Sequence, residues 1–136
     1  MVDDILINKA QTIEDCIRRV SEEYDNNRDN LLKNQTKQDA ILLNIERACQ
    51  ASIDIGMHVV RMKKLGVPKA SREVFDILLA HKIIDEKLCH KMHGLVGFRN
   101  TAIHNYKKLD LAIVEAVITK HLFDLQILSQ IALQLK

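Results

Sequence analysis

Residues 110–135 read DLAIVEAVITKHLFDLQILSQIALQL. Leu111, Val114, Val117, Ile118, His121, Leu122, Leu125, Leu128, Ala132 and Leu135 recur near a seven-residue period in this stretch. Such a repeat is the seam of a helix packed in a bundle. No Gly or Pro interrupts it, and Asp110 is placed to cap its first turn. The predicted element is one long helix from Asp110 to the end of the chain.

Working backwards, the same logic yields four more helices. Asp85 is a candidate cap for a helix carrying Leu88, Cys89, Met92, Leu95, Val96 and Arg99. Gly94 and Gly97 lie three apart on it. A mid-helix glycine costs about 1 kcal/mol relative to alanine, so a pair of them marks a bend or a close backbone approach, a dimer contact being one cause. Ser71 is read as the cap of a short helix through Val74, Ile77, Leu78 and His81. Between Thr36–Asp39 and Lys64 a long helix buries Ile41, Ile45, Ala48, Cys49, Ser52, Ile55, Gly56, Val59 and Val60. Leu42 and Ile53 widen that stripe to more than one side, and Gly66 and Pro68 end the helix. The first helix runs from about Val2 to Tyr24 on Ile5, Ile13, Cys16, Ile17, Val20 and Tyr24, with a gap near Lys9. Residues 25–30 are polar and turn-prone, either a loop or a frayed continuation. The expected fold is all-α: an antiparallel bundle of about five helices, four of them long, in one domain spanning residues 1–136.

Composition agrees. Four Gly, one Pro, no Trp and 4% aromatic residues are too few turn and strand formers for a sheet protein. Hydrophobic residues at 47% and charged residues at 28% are globular values. Cys16, Cys49 and Cys89 are odd in number and far apart, the usage of reduced, mostly buried thiols in a cytoplasmic protein. No signal peptide and no membrane span is predicted.

The net charge of +2 excludes a global polyanion-binding surface. The local distribution is uneven. Residues 1–30 carry eight acids against Lys9, Arg18, Arg19 and Arg28; residues 86–108 carry Lys87, Lys91, Arg99, Lys107 and Lys108 against Glu86 alone. Two solvated faces explain this as well as an anion site does. Phosphate loops, nucleophile elbows and zinc-protease motifs are absent. His90 and His93 could share a helix face, but a stable metal site needs three or four ligands and no further pair is evident, so no metal or other cofactor is expected.

One segment carries chemistry: Arg99-Asn100-Thr101-Ala102-Ile103-His104-Asn105-Tyr106, read as the end of the fourth helix and the turn after it. RNA brings its own nucleophile, the ribose 2′-hydroxyl. An enzyme need only move protons and stabilise charge on phosphorus. Histidine titrates near neutrality and serves as acid or base. Arginine offers a permanently charged fork that fits phosphate oxygens. Asn100 would hold a phosphate or orient His104, and Lys107 and Lys108 would attract the RNA backbone. On an ideal helix Arg99 and His104 point about 140° apart, so meeting at one phosphate requires a helix end between them or a second subunit. The same residues would also serve simply to cap carbonyls at a helix C-terminus.

Arg99-x(4)-His104-x-Tyr106, with a polar residue after the arginine, resembles the motif of HEPN domains and in particular of the HepT-like toxins. The likeness covers the whole chain in length and helix order. It implies a homodimer in which Arg99 and His104 of both subunits line one cleft, and metal-independent endoribonuclease activity leaving a 2′,3′-cyclic phosphate. It also implies a partner: an MntA-like nucleotidyltransferase antitoxin that transfers AMP from ATP onto Tyr106. Bulk and negative charge beside His104 and Arg99 would then repel RNA. The alternative is a non-catalytic HEPN module that presents a substrate to a nucleotidyltransferase.

Overall fold

The computed structural model describes residues 3–104 and 109–135. Among them every regular element is helical. In chain order these are α1 (Asp4–Tyr24), α2 (Arg28–Leu32), α3 (Gln35–Met62), α4 (Ser71–Ala80), α5 (Glu86–His104), α6 (Leu111–Ala116), a π-helical turn (Val117–His121) and α7 (Leu122–Leu133). The last three run on without a break, so the expected fifth long helix exists as one rod containing a wide turn.

Helix α3 is the centre of the bundle. Its buried positions include every residue of the expected stripe, with Leu42 and Ile53. The burial reaches round the helix because α1, α4, α5 and α7 all pack on it. Cross-helix pairs give the directions. Asp3 meets His58 at 2.7 Å, Lys9 meets Asp54 at 3.0 Å and Glu23 meets Lys37 at 3.4 Å, so α1 and α3 run antiparallel. Glu115 accepts hydrogen bonds from the Tyr24 hydroxyl at 2.9 Å and from Arg28 Nε at 2.8 Å, while Gln126 reaches Glu14, so the final rod is antiparallel to α1.

Several local expectations are corrected. The first helix begins at Asp4, because the Asp3 carboxylate accepts from the Ile5 and Leu6 amides and caps it. Ile5 is 50% exposed; Leu6 and Ala10 fill the stripe instead and close its gap at Lys9. The polar stretch after Tyr24 is a turn with Asp25 and Asn26 at positive φ, followed by α2, which Asn27 caps. The long second helix starts at Gln35 under an Asn34 cap and stops at Met62. Ser71 is not a cap: Ala70 holds that position with no side-chain bond, and the Glu73 carboxylate reaches back to the Lys69 amide instead. Asp85 and Asp110 do cap their helices, accepting from the Leu88 and Ala112 amides at 2.7 and 2.9 Å.

The π turn changes the seam of the last rod. Buried residues there fall at Val114, Val117, Leu122, Leu125, Leu128 and Ala132. The step from Val117 to Leu122 is five residues, which an α-helix would spread about 140° apart. A π turn bonds i to i+5 and brings the two onto one face. Ile118 and His121, expected in the seam, are therefore only half-buried.

Gly56 marks the crossing of α3 and α4. A Cβ placed there would run into Val74 Cγ1, with Phe75 and Leu78 close behind. Val74 is fully buried and β-branched, so a change of rotamer there is costly. Gly56→Ala gains about 1 kcal/mol of helix propensity but overpacks at a cost of about 1–3 kcal/mol. A net loss of up to about 2 kcal/mol is expected in urea unfolding; a midpoint raised above wild type would mean the crossing has slack.

Candidate functional site

Helix α5 does not end near Arg99. It continues without interruption to His104. No helix end therefore separates the two residues, and their directions remain about 140° apart around one axis. Asn100 falls between them in azimuth, four residues before His104 and adjacent to Arg99. Its Oδ1 accepts from Arg99 Nη1 at 3.4 Å, so Asn100 is joined to the arginine. His104 and Asn100 are exposed, and Arg99 is half-buried. Tyr106, Lys107 and Lys108 lie outside the described residues.

Arg99 is the unusual member. Its Nε is sealed from water without a hydrogen-bond partner, and among the described residues the arginine forms no ion pair with any carboxylate. Several other cations on or near these helices are neutralised. Lys91 is held 3.3 Å from the buried Asp124, Lys9 pairs with Asp54, Arg18 with Asp15, Arg28 with Glu115 and Lys37 with Glu23. An unneutralised guanidinium with a buried, unsatisfied donor costs free energy, so its place in the fold is not explained by stability.

Cys49 of α3 lies close enough to Arg99 to feel its charge, a relation that nothing in the local sequence signals. Burial pushes its thiol up to about 12; the Arg99 charge opposes that shift and Glu46 adds to it. The sign follows. Folded Cys49 keeps its proton between 9.0, the ordinary thiol value, and about 12, while the unfolded thiol loses it. Stability is intact below 9.0 and falls above it, by up to about 1.4 kcal/mol per pH unit. Urea midpoints of wild type should drop more steeply on the alkaline side than those of Cys49→Ala. At neutral pH the thiol should resist alkylation in the folded protein. The three cysteines are all free and buried, as expected.

Gly94 and Gly97 face open space: a Cβ at either meets nothing within 4 Å. No packing within the described residues requires them. They line a groove of about 310 Å³ with Phe98, Thr101, Leu109, Asp110 and Ile113, along the same stretch of α5 that leads to His104.

An all-α bundle presenting Arg99-x(4)-His104 on one continuous helix is the architecture of a HEPN domain. Residues 13–131 match the family model described as ribonuclease HepT-like, and the chain belongs to that family. It is 38% identical over 125 residues to the mRNA nuclease HepT of Shewanella oneidensis strain MR-1, covering 92% of this chain and 93% of that one. Its fold superposes with a TM-score of 0.90 on a tri-AMPylated Shewanella oneidensis HEPN toxin solved in complex with an MNT antitoxin. The identity there is 37%, over 95% of this chain and 96% of the other. A solved toxin–antitoxin with AMP-PNP superposes at 0.88, also 37% identical, over 96% and 98% of the two chains. The expected family and all-α fold are thus those found.

Proposed function

We propose that this chain is the toxin of a toxin–antitoxin pair: a single-domain, homodimeric endoribonuclease acting on RNA in the cytoplasm without a metal. The observation that carries the reading is the Arg99 guanidinium, without a carboxylate partner among the described residues, bonded to Asn100 and five residues before His104 on one helix, in a chain of the HepT-like family. Among the described residues, no helix is long and apolar enough to cross a membrane.

In this mechanism Arg99 binds the scissile phosphate and stabilises the charge that builds on its oxygens. His104 transfers the proton that the 2′-hydroxyl gives up or that the departing 5′-oxygen takes. The 2′-oxygen bonds to phosphorus as the 5′-oxygen leaves, producing a 2′,3′-cyclic phosphate and a 5′-hydroxyl. Because Arg99 and His104 diverge on one helix, a two-fold pair of α5 helices supplies the second half of the site. The open faces of Gly94 and Gly97 support a close approach of that kind. Asn100 holds the arginine fork or a phosphate oxygen, and Lys107 and Lys108 draw in the RNA backbone. A nucleotidyltransferase antitoxin of the MntA type transfers AMP from ATP onto Tyr106, and the added charge silences the site. The tri-AMPylated state of the solved Shewanella toxin, captured with its MNT antitoxin, supports that step.

The test is to incubate the purified chain, verified by mass spectrometry to be unmodified at Tyr106, with total RNA in EDTA and to map the ends. Cyclic-phosphate ends establish the reaction. No cleavage by unmodified chain would replace the enzyme with a module that binds a substrate for its nucleotidyltransferase partner.

A further inference from the structure

On the opposite stretch of α5, away from Arg99, three donor atoms of different chemistry converge. His93 Nε2 is 2.8 Å from Asp76 Oδ1 and 3.7 Å from Cys89 Sγ. Cys89 Sγ is 3.8 Å from the same Asp76 oxygen. Cys89 and His93 are one turn apart on α5 and so share a face, while Asp76 reaches over from α4. His90, which the sequence pairs with His93, is exposed and takes no part.

A thiol–imidazole–carboxylate relay needs both ring nitrogens, one turned to each neighbour. Here the sulfur and the carboxylate oxygen face the same nitrogen, Nε2. Donors gathered around one point are disposed as ligands of a cation. Tetrahedral zinc, with bonds of about 2.3 Å to sulfur and about 2.0–2.1 Å to nitrogen or oxygen, sets its ligand atoms roughly 3.3–3.6 Å apart. The observed separations straddle that range. Closing on a metal asks the thiol to approach by a few tenths of an ångström and the carboxylate to open by about half an ångström from the imidazole. The Asp76 side chain is 56% exposed and free to make that adjustment.

One sulfur, one imidazole nitrogen and one carboxylate oxygen suit a borderline-soft divalent ion. Calcium and magnesium prefer oxygen alone. Cys89 is buried and His93 half-buried, so two ligands are already held by the core and only the third must be ordered. We propose that Asp76, Cys89 and His93 bind one zinc ion, with its fourth position open to solvent, and that the ion clasps α4 to the helix bearing Arg99 and His104. The site does not depend on the RNase reading and carries no step of the cleavage. It acts on stability, since metal held by the folded chain and not by the unfolded one raises the melting temperature.

Cobalt(II) is the probe, added to the untagged full chain after chelator treatment. One equivalent should produce visible d–d bands of tetrahedral cobalt with a near-ultraviolet thiolate charge-transfer band, both erased by competing zinc. Cys89→Ser should abolish the charge-transfer band. His93→Gln and Asp76→Asn should each weaken binding at least tenfold, and His90→Gln should leave it unchanged. Zinc should raise the melting temperature of wild type and His90→Gln but not of His93→Gln. If Cys89→Ser does not fold, His93→Gln and Asp76→Asn decide the matter, because both side chains are partly exposed. A wild-type chain without the thiolate band, or a His93→Gln chain that binds as tightly, would overturn the site and leave a plain His93–Asp76 ion pair beside a buried thiol.

Discussion

Purified His104→Ala protein is expected to lose RNA cleavage by about 10²–10⁴-fold, the usual contribution of a positioned general acid or base. Its fold should survive, because His104 is exposed at the last turn of α5 and contributes nothing to the core. Arg99→Ala is expected to cost about 10²–10³-fold through loss of charge stabilisation. Removing a guanidinium whose buried Nε has no partner relieves an unsatisfied donor, so stability should stay within about 1 kcal/mol of wild type. Arg99→Lys should recover only part of the activity, since an ammonium lacks the planar fork. The two variants also test the geometry. Arg99 and His104 diverge by about 140° on one uninterrupted helix, so in the proposed dimer one phosphate takes its arginine and histidine from different subunits. Dimers formed from one Arg99→Ala and one His104→Ala subunit should then regain cleavage that neither parent shows. Hybrids as inactive as their parents would place both groups on the same chain. Equal cleavage by wild type and His104→Ala would remove histidine from the mechanism.

Lys91→Met should be the most destabilising change on the surface of the bundle. Asp124 is 2% exposed and lies on the rod just after the π turn. Its oxygens meet Lys91 Nζ at 3.3 Å and His121 Nδ1 at 3.4 Å. Deleting one partner of a buried pair leaves a charge stranded in low dielectric, at about 3–5 kcal/mol for a fully buried pair. Lys91 is one-third exposed and His121 remains, so about 2–4 kcal/mol is expected, read from the urea midpoint. The companion is Lys91→Met with Asp124→Leu. That pair fills the same space with apolar atoms and strands no charge, so much of the loss should return. A double variant as unstable as the two single losses added together would mean that the pair is not coupled. Both side chains line a groove of about 700 Å³ with Ile84, Leu88 and Ile127 among others, an apolar surround for the replacements.

The chain's own alphabet determined the helices and most of their ends. Caps such as Asp85 and Asp110 act on amides two or three residues away, forces that are local and need no partner; α3 stops at Met62, ahead of Gly66 and Pro68, with Lys64 at positive φ just beyond it. The heavily buried α3 was legible too, because a stripe wider than one face can only be covered from several sides. The Arg99-x(4)-His104-x-Tyr106 spacing likewise stands in the sequence, and with it the family. Where two local signals competed, the neighbours chose. Leu6 is buried rather than Ile5 because α3 covers that side of α1, and Ala70 takes the cap position with no side-chain bond while the Glu73 carboxylate accepts from the Lys69 amide. The π turn left no trace in a seven-residue repeat, since its five-residue step is resolved only by what Val117 and Leu122 pack against. Tertiary structure alone carried α5 unbroken to His104, left Arg99 without a carboxylate among the described residues and brought Cys49 within reach of its charge. It alone brought Asp76 to Cys89, thirteen residues away in sequence, and to His93, one turn further along α5. Periodicity shows which side of a helix is buried. Which groups then meet across the boundary depends on how helices cross, and that is settled by side-chain volumes far apart in the chain.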